Sequence, residues 1–248
     1  MMSKYGMCMK AVVLVIALTF MFAGSAGAAM DHGHGMGMHH QHQMLNHALG
    51  MALEGSNLVM LGQMGMAKGI DKESVEHGKM MIKNARKVWT ETIEGKSMMH
   101  MHDSGAGMTD PMMAFTHQLA EAQLKVIDIL DKMDSAKQDG HSMSMHHQHQ
   151  MLNHALKMAV EGSNLVMLGQ MGMAKGVDEI SVKHGKMMIK NAESLFNEVM
   201  SGSAMTGMHG QGVSPDKDKQ MAFTHKLAEA QLKVISLLKK MPAAMMHK

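Results

Sequence analysis

The sequence predicts an all-α fold, in which a tandem duplication of a three-helix unit forms either two helical bundles or one merged six-helix bundle. Sliding the chain on itself by 107 positions aligns Glu54–Gly69 with Glu161–Gly176, residue for residue. A shift of 108 pairs Met113–His117 with Met221–His225. No stretch alternates with the period of a strand, and β-branched residues are sparse. Because repetition at a fixed spacing indicates a duplicated structural unit, we expect one helical repeat at 30–135 and a second at 136–248.

The first 29 residues are predicted to be an export signal. Lys4 and Lys10 precede an uncharged run at 11–23 and a series of small residues at 24–29. This order is typical of a cleaved secretory signal. The apolar run is too short for a permanent anchor, and no later run of 18 or more apolar residues follows it. We therefore expect a periplasmic or secreted protein with no stable membrane span after signal cleavage.

Each repeat is predicted to contain three helices. In the first repeat, one helix runs from about His39 to Lys68, and a second runs from Asp71, a favourable N-cap, to about Glu94. The third starts at Asp110–Pro111, where proline suits the first helical position, and ends near Met133. The linking segments are rich in Gly, Ser, Met and His: Gly95–Met108, Asp134–Ser144 and Gly202–Val213.

The first helix of the repeat is apolar around most of its circumference, which is typical of a helix that is packed on several sides. Its glycines, Gly55, Gly62 and Gly65, each lower helix propensity by roughly 1 kcal/mol relative to alanine. They predict either a close approach of another backbone or a break in the helix. The pattern alone does not distinguish these two outcomes.

The composition excludes several functional classes. Cys8, the one cysteine, precedes the apolar run, so the mature chain lacks disulfides, thiolate zinc sites, iron–sulfur clusters and covalently attached haem. Without Lys4 and Lys10 the basic and acidic residues balance at 22 each, which gives no electrostatic basis for binding nucleic acid. We find no nucleophile elbow, phosphate-binding loop or HExxH motif, so the sequence predicts no enzyme.

Methionine and histidine dominate the composition, with 38 and 19 residues. The block Met38–Leu49 recurs unchanged as Met145–Leu156. Thioether sulfur is a soft ligand that selects copper(I) and silver(I), and imidazole binds copper in both oxidation states. A ligand set without thiols also suits an oxidising compartment. We therefore predict that copper ions bind, with copper(I) favoured and silver(I) as the alternative.

Helical spacing groups the candidate ligands. His40, Met44, His47 and Met51 fall within a sector of about 60° on the first helix. The second helix adds His77 and Met81 one turn apart, and the third adds Met113 and His117. The second repeat contains the equivalent residues His147, Met151, His154, Met158, His184, Met188, Met221 and His225. We expect these helical Met/His pairs to form the ordered metal sites.

Histidine also clusters at the predicted start of the first helix. His39, His40 and His42 stand beside Met36 and Met38, with His146, His147 and His149 as the copies. Consecutive histidines cannot all enter a core, so we interpret these clusters, like Met98–His102 in the first linking segment, as labile collection sites. The alternative is a solubilising tail that responds to pH. Met60, Met64, Met167 and Met171 are instead expected to fill the core.

These residues resemble exported Met- and His-rich helical proteins of bacterial copper handling. The segment Glu54–Lys68 looks like part of a family of uncharacterised secreted bacterial proteins. The chain departs from the cysteine-lined copper-storage bundles because its mature part has no thiol. The resemblance implies a periplasmic copper buffer, store or chaperone, with a copper donor or acceptor protein as its partner.

Two other functional classes stay open at the level of sequence. A Met and a His on facing helices are a familiar axial pair for non-covalent haem, although Arg86 is the one arginine that is able to hold a propionate. A Soret band would separate that class from a colourless copper(I) protein. The methionines also suit a structural or interaction module with an adaptable apolar surface and no metal.

Overall fold

The computed structural model describes the backbone of residues 34–94, 111–133, 143–201 and 219–242. Within those ranges, side chains are described from residues 39, 114, 146 and 222 onward. The predicted export signal, the Met- and His-rich loops and most of the segment between the repeats lie outside the described residues. So do Asp110 and the methionine and histidine cluster at 98–102.

The described residues form six α-helices: α1 His34–Gln63, α2 Asp71–Glu94, α3 Pro111–Asp131, α4 Met143–Gln170, α5 Asp178–Ser201 and α6 Lys219–Lys239. No strand occurs within those ranges, which confirms the predicted all-α fold. Helices α4 to α6 are the second-repeat counterparts of α1 to α3. The bounds of α2 are as predicted, and α3 starts at the proline that was expected at its first position.

Helix α1 is displaced toward the N-terminus relative to the prediction, because it starts before His39 and ends before Lys68. Gly65 follows its last turn with a φ of 68°, and Lys68 and Gly69 have φ values of 52° and 93°. These left-handed conformations end the helix and turn the chain toward α2. Gly65 is thus the helix-breaking glycine.

Gly55 and Gly62 have the other predicted role, which is close helix packing. A Cβ added to Gly55 would lie 2.6 Å from the carbonyl oxygen of Gly78 on α2. A Cβ on Gly62 would overlap the carbonyl oxygen of Asp71. The backbones of α1 and α2 therefore touch at two levels, with no side chain between them. Gly162 and Gly169 make the same contacts in the second repeat.

Asp71 does not cap its helix as we expected. Ile70 accepts the first helical hydrogen bond, from the Ser74 N–H, so Asp71 is already the first helical residue. Its carboxylate instead accepts a hydrogen bond of 2.8 Å from the Ala67 N–H in the preceding turn. Asp178 repeats this contact with Ala174. The aspartate therefore ties the turn to the start of α2.

The six helices belong to one compact unit in which the repeats are merged. Helix α3 packs more extensively against α6 than against either helix of its own repeat. Helices α1 and α4 cross in antiparallel orientation, because Asn46 donates to Ser163 Oγ at 2.9 Å while Asn153 donates to Ser56 Oγ at 2.8 Å. These reciprocal bonds relate the repeats by an approximate two-fold axis.

The core is continuous across both repeats, and Leu45, Leu49 and Leu53 form the buried face of α1. Met60 and Met167 are fully buried, which confirms their predicted packing role. Met64 and Met171, which were expected to fill the core as well, are half-buried and lie just after the ends of α1 and α4. Within the described part of the chain, no helix is both long enough and apolar enough to cross a membrane.

Candidate metal centre

The start of α1 directs two of its three clustered histidines inward. Because the helix already begins at His34, residues 39 to 42 are helical. His42 is 2% exposed and His39 is half-buried, whereas His40 is exposed. His39 and His42 are one turn apart, so they form a pair on one face. Helix α4 repeats the arrangement with the buried pair His146 and His149 and the exposed His147.

An aromatic ring from the third helix of the same repeat packs against each innermost imidazole. The ring centroids of His42 and Phe115 are 6.0 Å apart, with an interplanar angle of 19°. His149 and Phe223 are also 6.0 Å apart, at an angle of 33°. Sequence reasoning missed both phenylalanines as neighbours of the site. The signal for them was present, because they occupy the same place in the repeated segment Met-Ala-Phe-Thr-His.

Each of these four histidines has one ring nitrogen that makes no hydrogen bond to the described residues. Nε2 of His42 and Nε2 of His149 are buried and have no hydrogen-bond partner among the described residues. The same is true of Nδ1 of His39 and Nε2 of His146. A buried polar atom without a partner costs about 1–3 kcal/mol. Each repeat therefore contains two imidazole nitrogens without a partner among the described residues, at which a ligand would remove this cost.

Burial also keeps these histidines neutral. Burial, with charge repulsion from the neighbouring His39 as the second cause, lowers the pKa of His42 to about 4. Burial similarly lowers the pKa of His149 to about 3, with His146 as the second cause. The pKa values of His39 and His146 are lowered by burial as well. A neutral imidazole has a nitrogen lone pair that is able to bind a metal ion, whereas a protonated imidazole has none.

The clustered histidines are more buried than we expected for labile sites, and the helical Met/His pairs are less buried than we expected for ordered ones. We expected the clustered histidines to be labile and the helical Met/His pairs to be ordered. His42 and His149 are both buried, with 2% and 4% of their surface exposed. The reason is the early start of α1 and α4, which places both clusters inside a helix that has one face in the core.

The predicted ladder on α1 lies at the edge of the core. His40 and His47 are exposed, and Met44 and Met51 are half-buried, with Met51 packed against the core. The copies on α4 follow the same order: His147 and His154 are exposed, and Met151 and Met158 are half-buried. The four residues of each ladder therefore share a face, as predicted, but that face borders solvent.

The pairs on the other helices are also near the surface. His77 and His184 are exposed, while Met81 and Met188 are half-buried. His117 and His225 are half-buried and each interacts with another residue. The side chains of Met113 and Met221 lie outside the described ones. Gly55 packs opposite Gly78, so His77 is level with Gly55, about one helical turn beyond the end of the ladder.

Within the described ranges, no three His, Cys, Asp or Glu side chains are grouped closely enough to surround an ion. The two histidine pairs provide two imidazole donors each. The convergence of Met/His pairs from three helices on a shared ion stays a prediction.

Comparison of the chain with protein-family models, with curated proteins and with solved structures gives no match.

Proposed function

We propose that this protein binds copper, copper(I) in preference, at two sites centred on the pairs His39–His42 and His146–His149. It would serve as an exported copper buffer, store or delivery protein. The observation that carries this proposal is the buried Nε2 atom of His42, and of its copy His149, without a hydrogen-bond partner among the described residues. A bound ion would provide the missing partner in both repeats.

Methionine is the natural source of further donors. Met38 precedes His42 by one helical turn, and Met36 precedes His39 by one turn. Met143 and Met145 stand at the same distances before His146 and His149. Two neutral imidazoles with thioether sulfur form a ligand set that favours copper(I) over zinc(II) or magnesium(II). The set also carries no charge, so nothing in it compensates a divalent ion.

The two sites are expected to bind one ion each. Helices α1 and α4 cross in antiparallel orientation near Asn46 and Asn153, so the histidine pairs lie at opposite ends of the crossing. At a rise of 1.5 Å per residue their separation is on the order of 25 Å. This distance is too long for one ion to be shared, and the two sites should fill independently.

The test is an anaerobic titration of the protein with copper(I) against a competing chromogenic chelator, repeated with zinc(II). The variant is His42→Gln with His149→Gln, which keeps a polar side chain of similar length. The matched control is Gln43→Ala with Gln150→Ala, which changes half-buried polar residues on the same two helices that belong to no predicted metal site. Circular dichroism verifies that each variant keeps its helices.

We expect tight uptake of two copper(I) ions by the native protein and by the control, and feeble zinc binding. Loss of both tight sites in the His42→Gln/His149→Gln variant would support the proposal. Unchanged copper affinity in that variant would overturn it. So would zinc binding as tight as that of copper(I).

A further inference from the structure

Helices α2 and α5 each present a histidine and a methionine to solvent on the same side. His77 is exposed, and Met80, three residues later, is 52% exposed. In the second repeat His184 is exposed and Met187 is 49% exposed. Residues at this spacing have Cβ atoms about 5–6 Å apart. An imidazole nitrogen and a thioether sulfur can therefore reach one ion between them.

Core packing does not account for Met80 and Met187. The adjacent methionines pack against the first helix of each repeat instead. The Cβ atom of Met81 lies 3.0 Å from the position that a Cβ on Gly55 would occupy, and Met188 has the same distance to Gly162. The sequence pattern paired His77 with Met81. The structure instead shows that Met80 is the methionine that shares solvent exposure with this histidine.

The two repeats retain these residues within an identical segment, 77–85 in the first and 184–192 in the second, while exposed residues before that segment differ. Positions at the start of the two helices have changed charge or polarity: Lys72 corresponds to Glu179, Glu73 to Ile180, and Glu76 to Lys183. All six are exposed. His77 and Met80 recur unchanged as His184 and Met187. Burial does not account for the retention of His77 and Met80, nor for that of the exposed Lys83 and Asn84 in the same segment.

We propose that His77 with Met80, and His184 with Met187, form two surface sites for a soft monovalent ion, copper(I) or silver(I). This inference rests on the proposed function, because it adds exchange sites to a protein that binds such ions in its interior. Two donors leave the rest of the coordination sphere open to solvent. A carrier molecule can therefore bring its own ligand to the ion and exchange it here, whereas the buried histidine pairs hold their ions away from water.

The probe is silver(I), which matches copper(I) in charge and softness and does not change oxidation state. The full chain, labelled with ¹³C in the methionine methyl groups, is titrated with silver(I) and followed by NMR. Single Met80→Leu and Met187→Leu variants assign the two methyl signals. Met66 and Met173, which are 54% and 55% exposed in turns without histidine, are the internal controls.

We expect the methyl signals of Met80 and Met187 to shift in fast exchange, at silver concentrations that leave Met66 and Met173 unaffected. The variant His77→Gln/His184→Gln should weaken this response by about tenfold or more, since even outer partners of a metal ligand are worth about 10-fold to 100-fold. An equal response of Met66 and Met173 would overturn the inference, as would an unchanged response of Met80 in the histidine variant.

The two proposals fail separately. The variant His42→Gln/His149→Gln removes the buried pairs and leaves α2 and α5 intact. If Met80 and Met187 still respond to silver(I) in that variant, the surface sites exist whatever the outcome for the buried ones. If they no longer respond, the surface sites are not independent and this inference is wrong.

Discussion

At the scale of single residues, the burial or exposure of each clustered histidine follows from its angular position on α1. His42 stands three and seven positions before Leu45 and Leu49, which are fully buried, so it shares their face. His40 lies on another side and is exposed. This spacing was readable in the sequence. The helix boundary was not, because the helix continues through Gly35 and Gly37, which have low helix propensity.

The buried histidines should make the metal-free protein sensitive to acid. Burial lowers the pKa of His42 to about 4 and that of His149 to about 3, whereas an unfolded chain titrates histidine near 6.5. Between those values the unfolded chain binds more protons, so the free energy of unfolding falls as the pH falls. The free energy of unfolding is highest above about pH 7. Protonation of His42 alone should lower it by about 3 kcal/mol by pH 4.

Urea unfolding of the metal-free protein at several pH values between 5 and 7.5 measures this dependence. The His42→Gln/His149→Gln variant keeps the carboxylates and all other histidines, including His39 and His146, so its pH profile shows what those groups contribute. We expect the variant to have the flatter profile. Two parallel profiles would show that the imidazoles are not buried in the neutral form.

At the scale of helices, the sequence specified the type and order of the elements because their signals are local. Proline at the first position of α3 and the acidic first turn of α2 mark those starts. The role of each glycine required the partner helix. Gly55 and Gly62 face α2. Gly65 has a left-handed conformation, which its neighbours in the sequence do not predict.

Glycine substitutions in α1 should therefore have opposite effects. Gly55→Ala places a methyl group against the carbonyl oxygen of Gly78 and the side chains of Ile82 and Met81. This overpacking should destabilise the protein by about 1–3 kcal/mol. Gly50→Ala meets nothing within 4 Å and should stabilise the helix by up to about 1 kcal/mol.

Thermal or urea unfolding of the two variants measures the difference. Gly50 is the matched control because it lies in the same helix and receives the same change. If Gly55→Ala were as stable as Gly50→Ala, the close approach of α1 and α2 would be absent.

At the scale of the whole molecule, a buried polar network joins the repeats. Asn46 donates to Asn164 as well as to Ser163, and it accepts from Gln123 Nε2 at 2.8 Å. Asn153 makes the equivalent set with residues of the other repeat and with Gln231. The repeat was evident in the sequence, but the packing of the two repeats into one core was not. It depends on contacts between residues far apart in the chain, which no local pattern encodes.

The network predicts that Asn46 and Asn153 contribute equally to the free energy of unfolding. Each should contribute more than the exposed ion pair between Lys157 and Glu54. Asn46→Ala removes the acceptor of the buried Gln123 amide and the donor to Ser163 Oγ, at about 1–3 kcal/mol for each group left unpaired. Asn153→Ala should lower the free energy of unfolding by a similar amount, because its bonds mirror those of Asn46. Lys157→Ala removes an exposed 2.7 Å bridge to Glu54 and should change stability by less than about 1 kcal/mol.

Urea unfolding of the three variants tests this order, and the double variant Asn46→Ala/Ser163→Ala tests the contact itself. If the two residues bond across the repeats, the effects of the single changes should not add, with a coupling energy of about 0.5–3 kcal/mol. Additive effects, or a loss in Asn46→Ala no larger than that in Lys157→Ala, would contradict a merged core. The repeats would then fold as separate bundles, because only a shared interior makes one asparagine depend on a serine 117 positions away.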